Sequence, residues 1–161
     1  MKRIFSFPPI ISKESKILIL GSVPGVKSLE MKEYYAHPQN KFWKILFELF
    51  NENFIINYSE KINFLQKNKI AVWDVIDSCE RIGSLDTKIK NENQNDIDKL
   101  LKDFPNIQAI FCNGQKSFKN LQKNFSEKIE ISIFVLPSTS PAHAISFEKK
   151  LESWMILKTF V

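Results

Sequence analysis

Ile17-Leu-Ile-Leu-Gly-Ser-Val-Pro-Gly25 is the stretch on which the fold turns. Its four leading residues are apolar, and Ile17 and Ile19 are β-branched, so they read as a buried strand that stops where Gly/Pro chemistry begins. Downstream, Tyr34-Tyr-Ala-His-Pro-Gln-Asn-Lys-Phe-Trp43 runs into a helical stripe of Phe42, Ile45, Leu46, Leu49 and Phe50. A strand that ends in a Gly/Pro loop and then opens a helix brings backbone N–H groups and polar side chains to the carboxyl edge of a sheet. Ligands bind there in α/β proteins.

The same grammar repeats along the chain. Ile70–Val75, Ala109–Cys112 and Ile131–Leu136 are further apolar runs bounded by polar or Gly/Pro residues, and they read as strands. Between and after them, Ile97, Leu100 and Leu101, then Phe118 and Leu121, then Phe147, Leu151, Trp154 and Met155 fall on helical stripes. Alternation of this kind predicts an α/β fold: a single three-layer domain over 1–161 with a four-stranded, mostly parallel sheet flanked by helices. Ser59–Asn68 is expected to hold a small helix packed through Ile62 and Leu65, and polar Asn91–Asp96 to be an exposed loop. No internal repeat of fixed period is present.

Bulk composition narrows the classes. At 161 residues, one domain buries roughly 70% of the surface of its unfolded chain. Fourteen Phe against four Gly point to a bulky aromatic core, and 43% hydrophobic with 25% charged residues excludes a disordered chain. No apolar run is long enough for a membrane span or a signal-peptide core, so the expectation is a cytoplasmic protein with no membrane contact. Cys79 and Cys112 form no Cys-x-x-Cys pair and the only histidines are His37 and His143, so no bound metal is expected. The net charge of +5 is carried mostly by scattered Lys and permits a nucleic-acid partner, although a solvated Lys-rich surface has the same composition.

The strand ends deliver four loops to one edge: Gly21–Trp43, Asp74–Asp86, Asn113–Lys116 and Pro137–Ala144. In the last, Leu136-Pro-Ser-Thr-Ser-Pro-Ala-His-Ala144, small hydroxyl residues around Pro suit a phosphate cradle and equally suit a helix cap.

Taken together, Gly-Ser-Val-Pro-Gly25, Tyr34 to Trp43 and Leu136 to Ala144 resemble the uracil-DNA glycosylase superfamily, and within it the hypoxanthine-DNA (deoxyinosine) glycosylase branch. Trp73-Asp-Val-Ile-Asp-Ser-Cys-Glu-Arg-Ile-Gly-Ser-Leu-Asp86 is similar to that branch too, and the likeness spans about residues 16 to 157. It implies the glycosylase fold and hydrolysis of the N-glycosidic bond of deaminated bases in double-stranded DNA, hypoxanthine preferred and uracil accepted. Such an enzyme leaves an abasic site, needs no cofactor and works as a monomer that flips the base out of the helix.

The resemblance also distributes roles. Asn40 takes the catalytic position, where an amide can orient water and favour an oxocarbenium-like sugar without being a general base; just before a helix it is also a natural cap. Tyr35 falls where an aromatic stacks on the flipped base, with a core aromatic as its other reading. Asp74 falls where uracil-specific relatives read the base with Asn; as a carboxylate it accepts from hypoxanthine N1–H or uracil N3–H, or else it caps a turn or pairs with Arg81. Ser22, Val23 and Asn113 border the base. Val23 stands where mismatch-specific uracil glycosylases carry a water-holding Asn, so water activation passes to Asn40. Ser138 and Ser140 are the phosphate-gripping residues. Ala142 is a small residue at the wedge position, and His143 contacts a phosphate or caps the next helix. His37 reads as a buried loop organiser, while Ser28, Arg81 and Ser84 support loops or touch DNA. The two motifs place no Lys nucleophile, which argues against lyase chemistry.

Alternative readings are a mismatch-specific uracil-DNA glycosylase and, because of Val23, a module that binds damaged DNA without cleaving it. A small-molecule nucleotide-binding protein on the same edge ranks below both, since the chain lacks G-x-x-x-x-G-K-[ST] and G-x-G-x-x-G.

Overall fold

The structure is a computed structural model that describes residues 2–125 and 130–161. In chain order its strands are β1 (Arg3–Phe5), β2 (Ile17–Gly21), β3 (Ile70–Asp74), β4 (Ile76–Glu80), β5 (Lys90–Gln94), β6 (Ala109–Asn113) and β7 (Ser132–Leu136). Its helices are α1 (Val26–Met31), α2 (Phe42–Leu49), α3 (Tyr58–Lys67), α4 (Ile97–Asp103), α5 (Gln115–Asn124) and α6 (Phe147–Trp154), with short 3-10 segments at Asp86–Lys88 and Met155–Phe160.

The expected four-stranded sheet is present in the order β3-β2-β6-β7, and every pairing in it is parallel. Alternation along β2 explains the three layers. Ile17 and Ile19 face one cluster with Phe42, Ile45 and Leu46 of α2, Phe64 and Leu65 of α3, and Trp154 of α6. Leu18 and Leu20 face a second cluster with Ile97, Leu100 and Leu101 of α4 and Leu121 of α5. Both faces of a parallel sheet need a helical cover, which is why its strands read as unbroken apolar runs. Polar side chains start three of the helices: Asn57, Asp96 and Ser146 accept from the backbone N–H groups of Glu60, Lys99 and Lys149.

Three expectations need correction. The stretch Asn91–Asp96 is not simply an exposed loop: Lys90–Gln94 is β5, antiparallel to β4, which in turn pairs with β1 to make a second, three-stranded sheet. β5 escapes a hydrophobicity reading because it docks through polar contacts. Asn120 Nδ2 donates to Glu92 and Gln94 at 3.1 and 3.2 Å, and Lys116 pairs with Glu92 at 2.9 Å. The run Ile70–Val75 ends one residue early, at Asp74, and the next strand starts at Ile76, so the second edge loop contains a strand of its own. Met155 lies outside the α6 stripe, in the 3-10 segment, and is exposed.

Candidate active site

Register lines up the carboxyl ends of the parallel strands. Gly21 pairs with Asp74, Leu20 with Cys112, and Asn113 with Leu136. Because β2 has β3 on one side and β6 on the other, the connections diverge here, and open α/β sheets place their ligand crevices at such a reversal. A cavity of about 670 Å³ opens at this point. Its wall from the first loop includes Ser22, Val23, Tyr35 and Asn40; β3 and β6 contribute Asp74 and Asn113; the fourth loop contributes Ser138, Ser140, Ala142 and His143. The ten residues assigned to catalysis, the base or the DNA therefore share one cavity; of the four given supporting roles, Ser28, His37 and Ser84 line it as well and Arg81 does not.

Tyr35 sits with φ at +55°, an unusual backbone for a bulky residue. Its neighbours hold it there. The Ala36 N–H donates to Ser28 Oγ at 3.1 Å, Trp43 Nε1 donates to the Tyr34 carbonyl at 3.0 Å, and the Tyr35 ring stacks on Phe42 with centroids 3.9 Å apart. Tyr35 is among the residues lining the cavity. Tyr34 also lines the cavity, but its hydroxyl is committed elsewhere and donates to the Pro8 carbonyl at 2.9 Å.

Asp74 is 4% exposed, and its Oδ2 is buried with no hydrogen-bond partner. Burial, reinforced by Asp86 and opposed by Arg81, pushes its pKa up to about 7. The Tyr35 hydroxyl is likewise buried and unpartnered, and burial, with Asp74 close by, drives its pKa far above the usual phenol range. Arg81 forms no ion pair with Asp74 among the described residues. It donates instead to the Pro24 and Gly83 carbonyls, both at 2.7 Å, and so ties the first and second loops together.

Asn40 combines its two readings. Its Oδ1 accepts from the Phe42 N–H at 3.0 Å, which fixes the amide at the mouth of α2 although the cap position itself is Lys41. His37 organises the turn as expected, its Nδ1 accepting from the Gln39 N–H at 3.1 Å and its carbonyl from the Asn40 N–H at 2.9 Å. It is exposed rather than buried, because the turn projects from the sheet edge.

The fourth loop is built from reciprocal contacts. Asn113 Nδ2 donates to Thr139 Oγ1 at 3.0 Å while its Oδ1 accepts from the Thr139 N–H at 2.9 Å. The Thr139 carbonyl accepts from the Lys41 N–H at 3.0 Å, clamping this loop to the segment that carries Asn40. Ser138 Oγ accepts from the Ser140 N–H and Ser140 Oγ from the Ala142 N–H, at 3.1 and 3.2 Å. Among the described residues neither serine O–H has an acceptor, so each remains available as a donor. Ala142 and His143 are exposed at the loop tip. His143 does not cap the next helix, a task taken by Ser146.

Sequence reasoning missed Thr139, fully buried between the two serines, and Asp86, which accepts from Ser22 Oγ at 2.7 Å. The tight Ser-Thr-Ser spacing was the available signal for Thr139. Asp86 closes the second edge loop and the motif that begins at Trp73, and that position was the available signal for it. Ser84 supports a loop as expected: its Oγ accepts from the Val26 N–H at 2.9 Å and caps α1, whose own cap residue is Gly25. Among the described residues no cluster of His, Cys, Asp or Glu is arranged to hold a metal ion, and no helix is long and apolar enough to cross a membrane.

Comparison with known proteins agrees with this arrangement. A family model described as the uracil DNA glycosylase superfamily matches residues 8–160. A protein named hypoxanthine DNA glycosylase from Methanosarcina barkeri is 38% identical over 152 residues, covering 92% of this chain and 93% of the relative. A protein of the same name from Methanosarcina acetivorans is 35% identical over 150 residues, covering 91% and 92%. The solution NMR structure of a uracil DNA glycosylase candidate from Methanosarcina acetivorans matches with a TM-score of 0.82 at 31% identity, covering 97% of this chain and 96% of that one. With the strand order, the edge cavity and the motifs that line it, these matches show that the chain belongs to the uracil DNA glycosylase superfamily.

Proposed function

We propose that this protein is a monofunctional DNA glycosylase that takes a deaminated base from duplex DNA into the edge cavity, hydrolyses its N-glycosidic bond and leaves an abasic site, with hypoxanthine preferred over uracil. The observation that carries the reading is the buried, unpartnered Oδ2 of Asp74. An orphaned carboxyl oxygen is costly unless a donor arrives. Hypoxanthine N1–H and uracil N3–H are such donors, and adenine has no proton at that position. Tyr35, already stacked on Phe42, offers a rigid aromatic wall for the base. Base–aromatic stacking contributes about 1–3 kcal/mol. The two Methanosarcina relatives named hypoxanthine DNA glycosylase support the choice of base.

Asn40 is the catalytic residue in this reading. With one lone pair of Oδ1 held by the Phe42 N–H, the other orients water toward the sugar, and the carbonyl dipole favours the oxocarbenium-like transition state. The C1′–N bond breaks with its electron pair going to the base, water oxygen adds at C1′, and the water's proton ends on the released base. Ser138 and Ser140 donate their free hydroxyls to the flanking phosphates, Asn113 holds that loop in place through Thr139, and Ser22 and Val23 shape the base pocket. The reading includes action as a monomer in the cytoplasm, with neither metal nor membrane.

Alkaline strand cleavage of labelled duplexes carrying one deoxyinosine or one deoxyuridine tests it. Cleavage at deoxyinosine by the wild type and its loss in Asn40→Ala are the expected results. Val23, buried at the cavity wall with no polar side-chain atom to hold water, favours a second reading in which the protein recognises damage without cleaving. DNA binding with no cleavage of either substrate would establish that reading.

A further inference from the structure

Next to the base cavity lies a smaller one of about 320 Å³, and Pro141 and His143 form walls of both. Lys150 of α6 lines it and is 3% exposed. Its ammonium makes one hydrogen bond, to the Ser140 carbonyl at 3.0 Å. A lysine has three N–H donors, so two lack an acceptor among the described residues. Lys41, half-buried, lines the same cavity. Among the described residues neither lysine has a carboxylate within salt-bridge distance. Burial, with Lys41 adding to it, lowers the Lys150 pKa, so the two ammonium groups disfavour each other.

An apolar side chain would fill the space behind Ser140 at lower cost than a buried cation held by one carbonyl. What the pair lacks is an anion. The charge pattern says which kind: the acidic groups Asp74 and Asp86 belong to the base cavity, whereas the smaller cavity is lined by no acidic residue, and its Phe147 ring has the Lys44 ammonium 4.4 Å from its centroid. A strand whose base enters the first cavity across the Pro141–His143 wall carries its flanking phosphates along the second.

We propose that the Lys41–Lys150 cavity seats one phosphodiester of the DNA strand, separate from the phosphates gripped by Ser138 and Ser140. The choice of DNA as the source of the phosphate rests on the glycosylase reading. The seat gives the buried lysine a counter-charge and couples phosphate binding to the Ser140 carbonyl, hence to the loop that borders the base.

Salt-dependent binding of a deoxyinosine duplex to the wild type, Lys41→Gln, Lys150→Gln and the double variant tests the proposal. Each phosphate contact contributes about 0.9 to the slope of log K against log salt. The double variant, which leaves that phosphate unpaired, is expected to lower the slope by about that amount, and each single variant by part of it, since the remaining lysine still faces the phosphate. A scan of neutral methylphosphonates along the strand should then find one position that weakens wild-type binding several-fold and has a smaller effect in Lys41→Gln. An unchanged slope in Lys41→Gln, or a scan identical in wild type and variant, overturns the proposal. Were Lys150 only a brace for the Ser140 carbonyl, Lys150→Gln would lose base release without changing the slope. If Lys150→Gln does not fold, as its melting curve would reveal, Lys41→Gln and the scan decide alone. Base release measured in parallel separates the two ideas: phosphate coupling without release sinks the glycosylase reading and keeps the seat, while release without coupling does the reverse.

Discussion

The phenol of Tyr35 and the carboxyl of Asp74 converge over the α-carbon of Gly21. A methyl group placed there would lie 2.7 Å from Tyr35 Oη and 2.5 Å from Asp74 Oδ1. A residue with positive φ and a buried orphan carboxylate, each destabilising by itself, are thus held together above the one strand-end residue that has no side chain. Strain and unmet hydrogen-bonding capacity gathered at one point are what a site built for an incoming partner retains.

Gly21→Ala should therefore damage function more than folding. Overpacking of this kind destabilises by about 1–3 kcal/mol, whereas displacing Tyr35 and Asp74 by an ångström lowers base release by about 100-fold. Thermal melting and single-turnover release from a deoxyinosine duplex check the two numbers. Near wild-type release would mean that Tyr35 and Asp74 do not form the base pocket.

Asp74 predicts a pH signature. If its ionised form accepts from the base, release should rise as pH rises through about 7, and Asp74→Asn should flatten that limb. Stability runs the other way. The folded pKa is raised above the ordinary 3.8 to about 7, so the folded state binds more protons than the unfolded one in that window, and stability falls as pH rises through it. Urea midpoints at pH 5 and pH 8 should show the wild type losing stability relative to Asp74→Asn. Parallel behaviour of the two proteins would refute the raised pKa.

Asn40→Ala removes both the proposed water ligand and the acceptor for the Phe42 N–H. Loss of such an acceptor costs about 1 kcal/mol, too little to unfold the domain. Base release should disappear while the salt-dependent affinity for duplex DNA stays within about twofold, since non-specific binding is carried by phosphate contacts. Gel-shift titrations alongside the cleavage assay measure both, and retained release would remove Asn40 from the chemistry.

Ala142 at the exposed loop tip is a poor wedge. Ala142→Leu should raise release several-fold from stably paired lesions and change it little from mispaired or single-stranded ones, because a larger apolar side chain offsets unstacking only where stacking has to be broken. Equal effects on both substrates would argue against a role for this position in base extrusion.

Much of this molecule can be read along the chain. β2, β3 and β6 are buried on both faces and β7, at the sheet edge, is half-buried, so their burial is written as apolar runs, and α2 and α6 show their core faces at helical spacing. Loops that follow such strands must emerge at one edge, and within those loops the resemblance of the motifs to a known family picked out the site residues. β1 and β5 were not legible, because the first is three residues long and the second is nearly all polar. Pairing with β4, and the contacts of Glu92 and Gln94 to Asn120, decide their conformation.

The division follows the range of the forces involved. Apolar periodicity and turn chemistry are local or nearly so, and they suffice for the α/β class and for the four loops at the sheet edge; the roles of the residues in those loops came from the resemblance of their motifs to a known family. Which of those residues is committed and which is free depends on partners far away in the chain: Asn113 spent on Thr139, Arg81 on Pro24 and Gly83, Lys150 left with a single carbonyl, and Asp74 left with an unpaired oxygen. Desolvation and hydrogen-bond satisfaction are properties of the assembled surroundings. No local pattern encodes them, and they exist only once the four loops have met.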